Sequence, residues 1–290
     1  MSFYQSPYRI FNLKPSSSQE EVDHYAQYLQ ERYAMLEEGA VVNTGTIKIE
    51  KKDIFKIVGE LNDPLLKQHH LTIFEHKQFL NFLEYGHLNF FREDQKIIDV
   101  SSDADFLSFV APYFGEQYGQ SILTALKTNN IDNLKLLIDK DEEITQLFGD
   151  QIFDYVNDYV NTTVNDIKEL QLNKGLPHIS ERELLSYLPN RTIELYNTLP
   201  DHFNNFRNLI GNEVYSLSMV LHQNYGRFDG AAAILNQGLK LKLDDAVRVN
   251  MEKLASEFKF KSKLPPVVWI VVAVISLLYI IKFLEGLFYA

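Results

Sequence analysis

The stretch 264–290 constrains the chain most. Leu264, Pro265 and Pro266 are followed by fifteen residues, 267–281, without a charge, and Phe283, Leu284, Leu287 and Phe288 carry the apolar character past Lys282. A helix needs about 20 apolar residues to cross the hydrocarbon core of a bilayer. The stretch 267–288 meets that length when Lys282 and Glu285 lie at the far interface, where a lysine snorkels to the headgroups. Val, Ile and Leu surround such a helix on every side, which separates it from a core helix with one apolar face. Trp269 near one end, and Tyr279 and Tyr289 toward the other, suit interfacial belts. The pattern predicts a transmembrane anchor over 264–288, marked by Val267, Trp269, Ile281 and Lys282. Lys259, Lys261 and Lys263 precede it, so the positive-inside rule places the preceding residues in the cytoplasm. The expectation is a tail-anchored, single-pass membrane protein with its N-terminal region in the cytoplasm.

The remaining residues read as helix. Gly and Pro are sparse, at 13 and 9 of 290 residues, and strand-like alternation is nearly absent, so the fold class expected is all-α. With no cysteine, disulfides, thiolate metal sites and cysteine nucleophiles are excluded. The net charge of −11, with no basic patch interleaved with aromatics, argues against nucleic acid as a partner.

Near the N-terminus, Tyr8, Ile10, Phe11 and Leu13 form a short apolar element stopped by Pro15. Ser16, Ser17 and Ser18, with Glu20 and Glu21 behind them, are a helix start. Val22, Tyr25, Ala26, Leu29, Tyr33 and Leu36 recur at helical spacing, which predicts an amphipathic helix over 19–38 ended by Gly39. Residues 40–49 read as a loop with slight extended character in 46–50. A further helix from Lys51 carries Ile54, Phe55, Val58 and Leu61 and stops at Asn62, Asp63 and Pro64. Another starts at Leu65.

This order resembles a J-domain. The carrying residues are Tyr8 and Phe11 in the first helix, Ser16 to Val22 opening the second, Tyr25 and Leu29 as core positions, and Leu61, Asp63, Pro64 and Lys67 closing the third. His70 stands where the family usually has tyrosine. The resemblance covers about a quarter of the chain and implies a small helical head. It also implies a DnaK-type chaperone as partner, coupled through His-Pro-Asp in the loop between the long helices. Residues 37–49 contain neither His, Pro nor Asp, so the module reads as degenerate, a docking or packing platform.

Beyond it, 72–85 predicts one Phe-rich helix, 106–113 and 120–128 two short ones, 131–138 another, and 150–172 a longer acidic one. Residues 139–143 read as a solvated acidic turn. Paired helices with short turns point to an α-solenoid. Gly226, Phe228, Ala231, Leu235, Gly238 and Leu239 sit at offsets similar to those of a tetratricopeptide repeat, followed by a capping helix over 246–258. The resulting organisation is a J-like domain over 1–70, a bundle or divergent repeats over 71–210, the repeat and its cap over 211–260, and the anchor.

No phosphate loop, zincin motif or nucleophile elbow is present. His69, His70 and His76 cluster, and are read as exposed or helix-capping rather than as metal ligands. No catalytic residue, metal or cofactor is expected. The function expected is a non-enzymatic, membrane-tethered adaptor that binds other proteins, such as members of a membrane complex. The rivals are a divergent co-chaperone of a DnaK-type chaperone and an enzyme with an unfamiliar site.

Overall fold

A serine sets the first long helix. Ser18 Oγ accepts from the Glu21 N–H (3.2 Å), and the Glu21 carboxylate accepts from the Ser18 N–H (2.8 Å). This reciprocal cap satisfies two amides that a helix start leaves open. The computed structural model describes residues 3–37, 39–44, 47–93 and 95–262, together with 274, 275 and 280. Its described residues are helical apart from one two-stranded hairpin, and they fall into two compact units, Met1–Val156 and Asn157–Ala290.

The first unit begins with α1 (Pro7–Ile10), α2 (Gln19–Tyr33), strands β1 (Val41–Thr44) and β2 (Ile47–Glu50), α3 (Lys51–Asn62) and α4 (Pro64–Glu75). The strands are antiparallel, with Val41 opposite Glu50 and Thr44 opposite Ile47, where the sequence predicted a loop. Helix α2 also stops five residues before the predicted 38. Lys51 Nζ donates to the carbonyls of Ala34 (3.0 Å) and Leu36 (2.5 Å), satisfying groups a helix end leaves open. Asp63 starts α4 by accepting from the Leu65 and Leu66 N–H groups at 2.8 and 3.2 Å. Tyr8, Phe11, Val22, Leu29, Ile54, Val58 and Leu61 meet in one core among these helices.

Next come α5 (Lys77–Tyr85), α6 (Asn89–Arg92), α7 (Ile97–Val100), α8 (Ala104–Lys127), α9 (Ile131–Ile138), α10 (Asp141–Phe148) and α11 (Phe153–Leu172), which continues into the second unit. The predicted helix 72–85 is two helices. His76 Nδ1–H donates to the Thr72 carbonyl at 2.8 Å, and the His76 backbone (φ −96°, ψ 79°) leaves the helical region. Conversely, the two short helices expected over 106–128 are one, running through Pro112. Helical Gly115 and Gly119 lie under the side chains of Gln151 and Tyr155, and this close packing carries the helix across the expected gap. Asp141, expected in a solvated turn, is buried.

The second unit adds α12 (Glu181–Leu185), α13 (Asn190–Thr198), α14 (Asn204–Tyr225), α15 (Phe228–Gly238) and α16 (Asp245–Ser262). Helices α14, α15 and α16 pack on one another around Ile210, Val214, Leu217, Ile234, Leu235 and Met251.

Among the described residues no helix is long and apolar enough to cross a membrane. This overturns the transmembrane, tail-anchored reading and the single-pass location drawn from it. The last long described helix, α16, carries Asp245, Arg248, Glu252, Lys253 and Glu257, and such charges do not enter hydrocarbon cheaply. Val267, Trp269, Ile281 and Lys282 lie outside the described residues.

Candidate functional site

The residues expected to close a J-like third helix are packing and capping residues of the first unit. Leu61 is buried in its core, Asp63 caps α4, and Pro64 takes the first helical position, where its missing N–H costs nothing. Lys67 Nζ donates to Gln19 Oε1 at 2.8 Å and ties α4 to the start of α2. Gln19, Asp23, Gln27, Gln30, Asn62 and Pro64 line an open groove of about 500 Å³ beside this link.

The residues expected at a tetratricopeptide-like turn are likewise packing residues. Gly226 closes α14 in the left-handed region (φ +64°). Phe228 opens α15 with its ring 4.8 Å from that of His222. Ala231 and Leu235 are fully buried. A Cβ on Gly238 would lie 2.8 Å from both Val214 Cγ1 and Met251 Cε, so only glycine permits this approach.

Two of the three clustered histidines are buried, not exposed. His69 packs between Phe106 and Phe109, at ring distances of 5.7 and 5.3 Å. His70 joins a polar chain that no local motif announces. Tyr4, sixty-six residues away, places its hydroxyl 2.9 Å from His70 Nδ1, and His70 Nε2 lies 3.1 Å from Glu60. Lys56 Nζ donates to the Tyr113 hydroxyl at 3.0 Å and lies 3.6 Å from Glu60. Every group is satisfied when Tyr4 donates to Nδ1 and Nε2–H donates to Glu60. Burial, with Glu84, Tyr113 and Glu60 nearby, pushes the Tyr4 hydroxyl well up, so it stays a neutral donor. The chain borders a cavity of about 30 Å³. Among the described residues no group of three or more His, Cys, Asp or Glu side chains is placed to hold a metal ion.

A second polar junction fixes the N-terminal segment. Glu84 accepts from the Ser6 N–H (2.8 Å) and from Arg9 Nη1 (2.5 Å), while Arg9 Nη2 donates to Asn81 Oδ1 (2.8 Å). Burial still pushes the Glu84 carboxyl up, outweighing Arg9 and the Ser6 amide.

Each of two buried groups contributes to stability with its own pH dependence. Burial holds the His69 imidazole below its ordinary 6.5, against the opposing pull of Asp103 and Asp105. The unfolded chain therefore binds the His69 proton first as pH falls, so stability from this group is present above 6.5 and lost below it. Glu84 acts oppositely, since its raised value favours folding below 4.5 and that contribution fades as pH rises. On lowering the pH from about 7.5 to about 5.5, His69→Leu is expected to lose less Tm, or gain more, than wild type. An unchanged slope in His69→Leu would assign the pH dependence to other groups.

The outward face of α2 is the surface that sequence reasoning missed. Tyr25, expected in the core, is 40% exposed, Tyr28 is 47% exposed and Met35, just beyond the helix, 95%. The Tyr25 and Tyr28 rings meet at 6.1 Å. Arg32 Nη1 donates to the Tyr28 hydroxyl at 2.7 Å, and its guanidinium lies 5.7 Å from the ring centroids of Tyr28 and Tyr33. The i, i+3 and i+4 spacing of Tyr25, Tyr28 and Arg32 was the available signal, since it places all three on one stripe.

Compared with protein-family models, with curated proteins and with solved structures, the chain gives no match.

Proposed function

We propose that this chain is a non-enzymatic adaptor that binds other proteins, with a J-like head over 1–70 and a body of paired, tetratricopeptide-like helices. The observation that carries the reading is the exposed stripe of Tyr25, Tyr28 and Arg32 on α2, with Met35 just beyond the helix end. Aromatic residues, Met and Arg are enriched at protein interfaces, and Tyr and Arg dominate their energetics. Contact with Arg32 already restricts Tyr28, so less side-chain freedom is lost when a partner covers the pair.

Other observations support the parts of this reading. The order of α1 to α4, with Asp63 and Pro64 at the last turn, supports the J-like head. The close approach at Gly238 supports the repeat. Both ring nitrogens of His70 are engaged, which supports a structural rather than acid–base role for that residue. The net charge of −11 favours basic partners.

The test is crosslinked affinity capture of the full chain followed by mass spectrometry, comparing wild type with Tyr28→Ala/Arg32→Ala. Both side chains lie on an outward helix face, so the fold should stay intact. Specific partners are expected to fall by about 30-fold, the effect of losing a 2 kcal/mol hot spot. An unchanged partner set sinks the reading. A DnaK-type ATPase among the proteins lost would favour the co-chaperone alternative.

A further inference from the structure

An open groove of about 390 Å³ runs between the end of α5 and α8. Its floor holds Gln117, which is only 7% exposed, yet no described residue accepts from or donates to its side-chain amide. Its amide oxygen and nitrogen reach the groove, where a ligand rather than a protein neighbour can pair with them. The surroundings keep room for the amide. Gly86 ends α5 with φ +69°, and a Cβ there would fall 2.4 Å from Gln117 Nε2.

Other lining groups narrow the ligand chemistry. Ser121 and Thr124 add hydroxyls, and the one ionised lining side chain, Glu84, is committed to Arg9 and the Ser6 amide. The site therefore favours an uncharged ligand. Phe3 and Tyr85, 42% and 52% exposed, stand along the groove, and the Arg9 guanidinium lies 5.7 Å from the Tyr85 ring centroid.

We infer that this groove takes an uncharged, extended peptide segment of a partner protein, whose backbone pairs with the Gln117 amide and whose apolar side chain lies against Phe3 and Tyr85. The inference rests on the adaptor reading and names a second contact for it. A primary amide presents a donor and an acceptor in one plane, which matches the N–H and C=O of an extended backbone. The groove is open to solvent, whereas a small-molecule site covers most of its ligand. A passing chain suits that shape better than a compact molecule such as a sugar.

The experiment titrates the full-length, isotope-labelled chain with acetyl-Gly-Ser-Phe-Ser-Gly-amide at millimolar concentration, with maltotriose in parallel. Saturable NMR shifts of the Gln117 side-chain amide and the Gly86 backbone amide are expected with the peptide alone. Gln117→Leu should weaken binding at least about tenfold, the scale of losing one well-placed hydrogen bond, with an unchanged circular-dichroism spectrum. No saturable shift, shifts with maltotriose alone, or peptide binding that survives Gln117→Leu would each overturn the inference. Tyr28→Ala/Arg32→Ala keeps the two readings apart. If it loses the partners while the peptide fails to bind wild type, the groove inference falls and the adaptor reading stands.

Discussion

Replacing Arg207 by methionine is expected to destabilise the second unit by about 3–5 kcal/mol, since several buried acceptors lose their donor at about 1–3 kcal/mol each. Arg207 is fully buried on α14. Its Nη1 donates to the carbonyls of Tyr196 (3.1 Å) and Leu199 (2.9 Å). Its Nε donates to Asn204 Oδ1 (2.7 Å) and the Lys242 carbonyl (3.1 Å), and Nη2 also reaches Asn204. Among the described residues the only carboxylate in contact is Asp201, at 3.4 Å, whose side chain is 96% exposed. Burial accordingly pulls the guanidinium below its ordinary value, despite Asp201 and Asp244. Carbonyl dipoles, rather than a buried counter-charge, hold this cation.

The side-chain length of methionine is similar, but it donates nothing, and each orphaned carbonyl costs about 1–3 kcal/mol when it finds no water. Arg207→Lys should recover part of the loss, because a point charge reaches only some of the acceptors a planar fork serves. Asp201→Asn should cost under about 1 kcal/mol, the range of an exposed ion pair. Hydrogen exchange of the α14 amides through a urea series reads this unit alone. A loss below about 1 kcal/mol in Arg207→Met would show that water replaces the guanidinium at no cost.

Local signals in the sequence located the elements that local chemistry controls. Ser18 with Glu21 starts α2 as predicted, and Gly226 ends α14 with the left-handed turn its lack of a Cβ allows. The all-helical class followed from periodicity in the same way. Contacts between distant residues were not legible. Nothing within a few residues of Lys51 shows that its ammonium will cap α2, or that Tyr4 will reach His70. Helical spacing also gives a stripe and not its depth. Tyr25 lies on the apolar stripe of α2, but at its edge, so its ring faces out while Val22 and Leu29 face in. The Gln117 amide escaped notice because a glutamine inside a helix is ordinarily a surface residue.

Truncating Phe114 to alanine should cost the first unit about 3–5 kcal/mol, the range for removing a fully buried Phe. Phe114 is on α8, is 0% exposed, and meets the rings of Phe79 (6.2 Å), Phe82 (5.2 Å), Phe91 (6.5 Å), Tyr118 (5.8 Å) and Phe148 (5.1 Å). Those rings come from α5, α6, α8 and α10, so closing the void would require several helices to shift at once. The cavity should therefore persist, lined by apolar rings and dry. Such a cavity binds small aromatics, so benzene should raise the Tm of Phe114→Ala while leaving wild type unchanged. Phe114→Leu, which keeps most of the volume, should cost about 1.5 kcal/mol or less and show no benzene effect. A destabilised Phe114→Ala that benzene does not rescue would mean that the rings collapse inward, and that α5 and α10 are held less firmly than their packing implies.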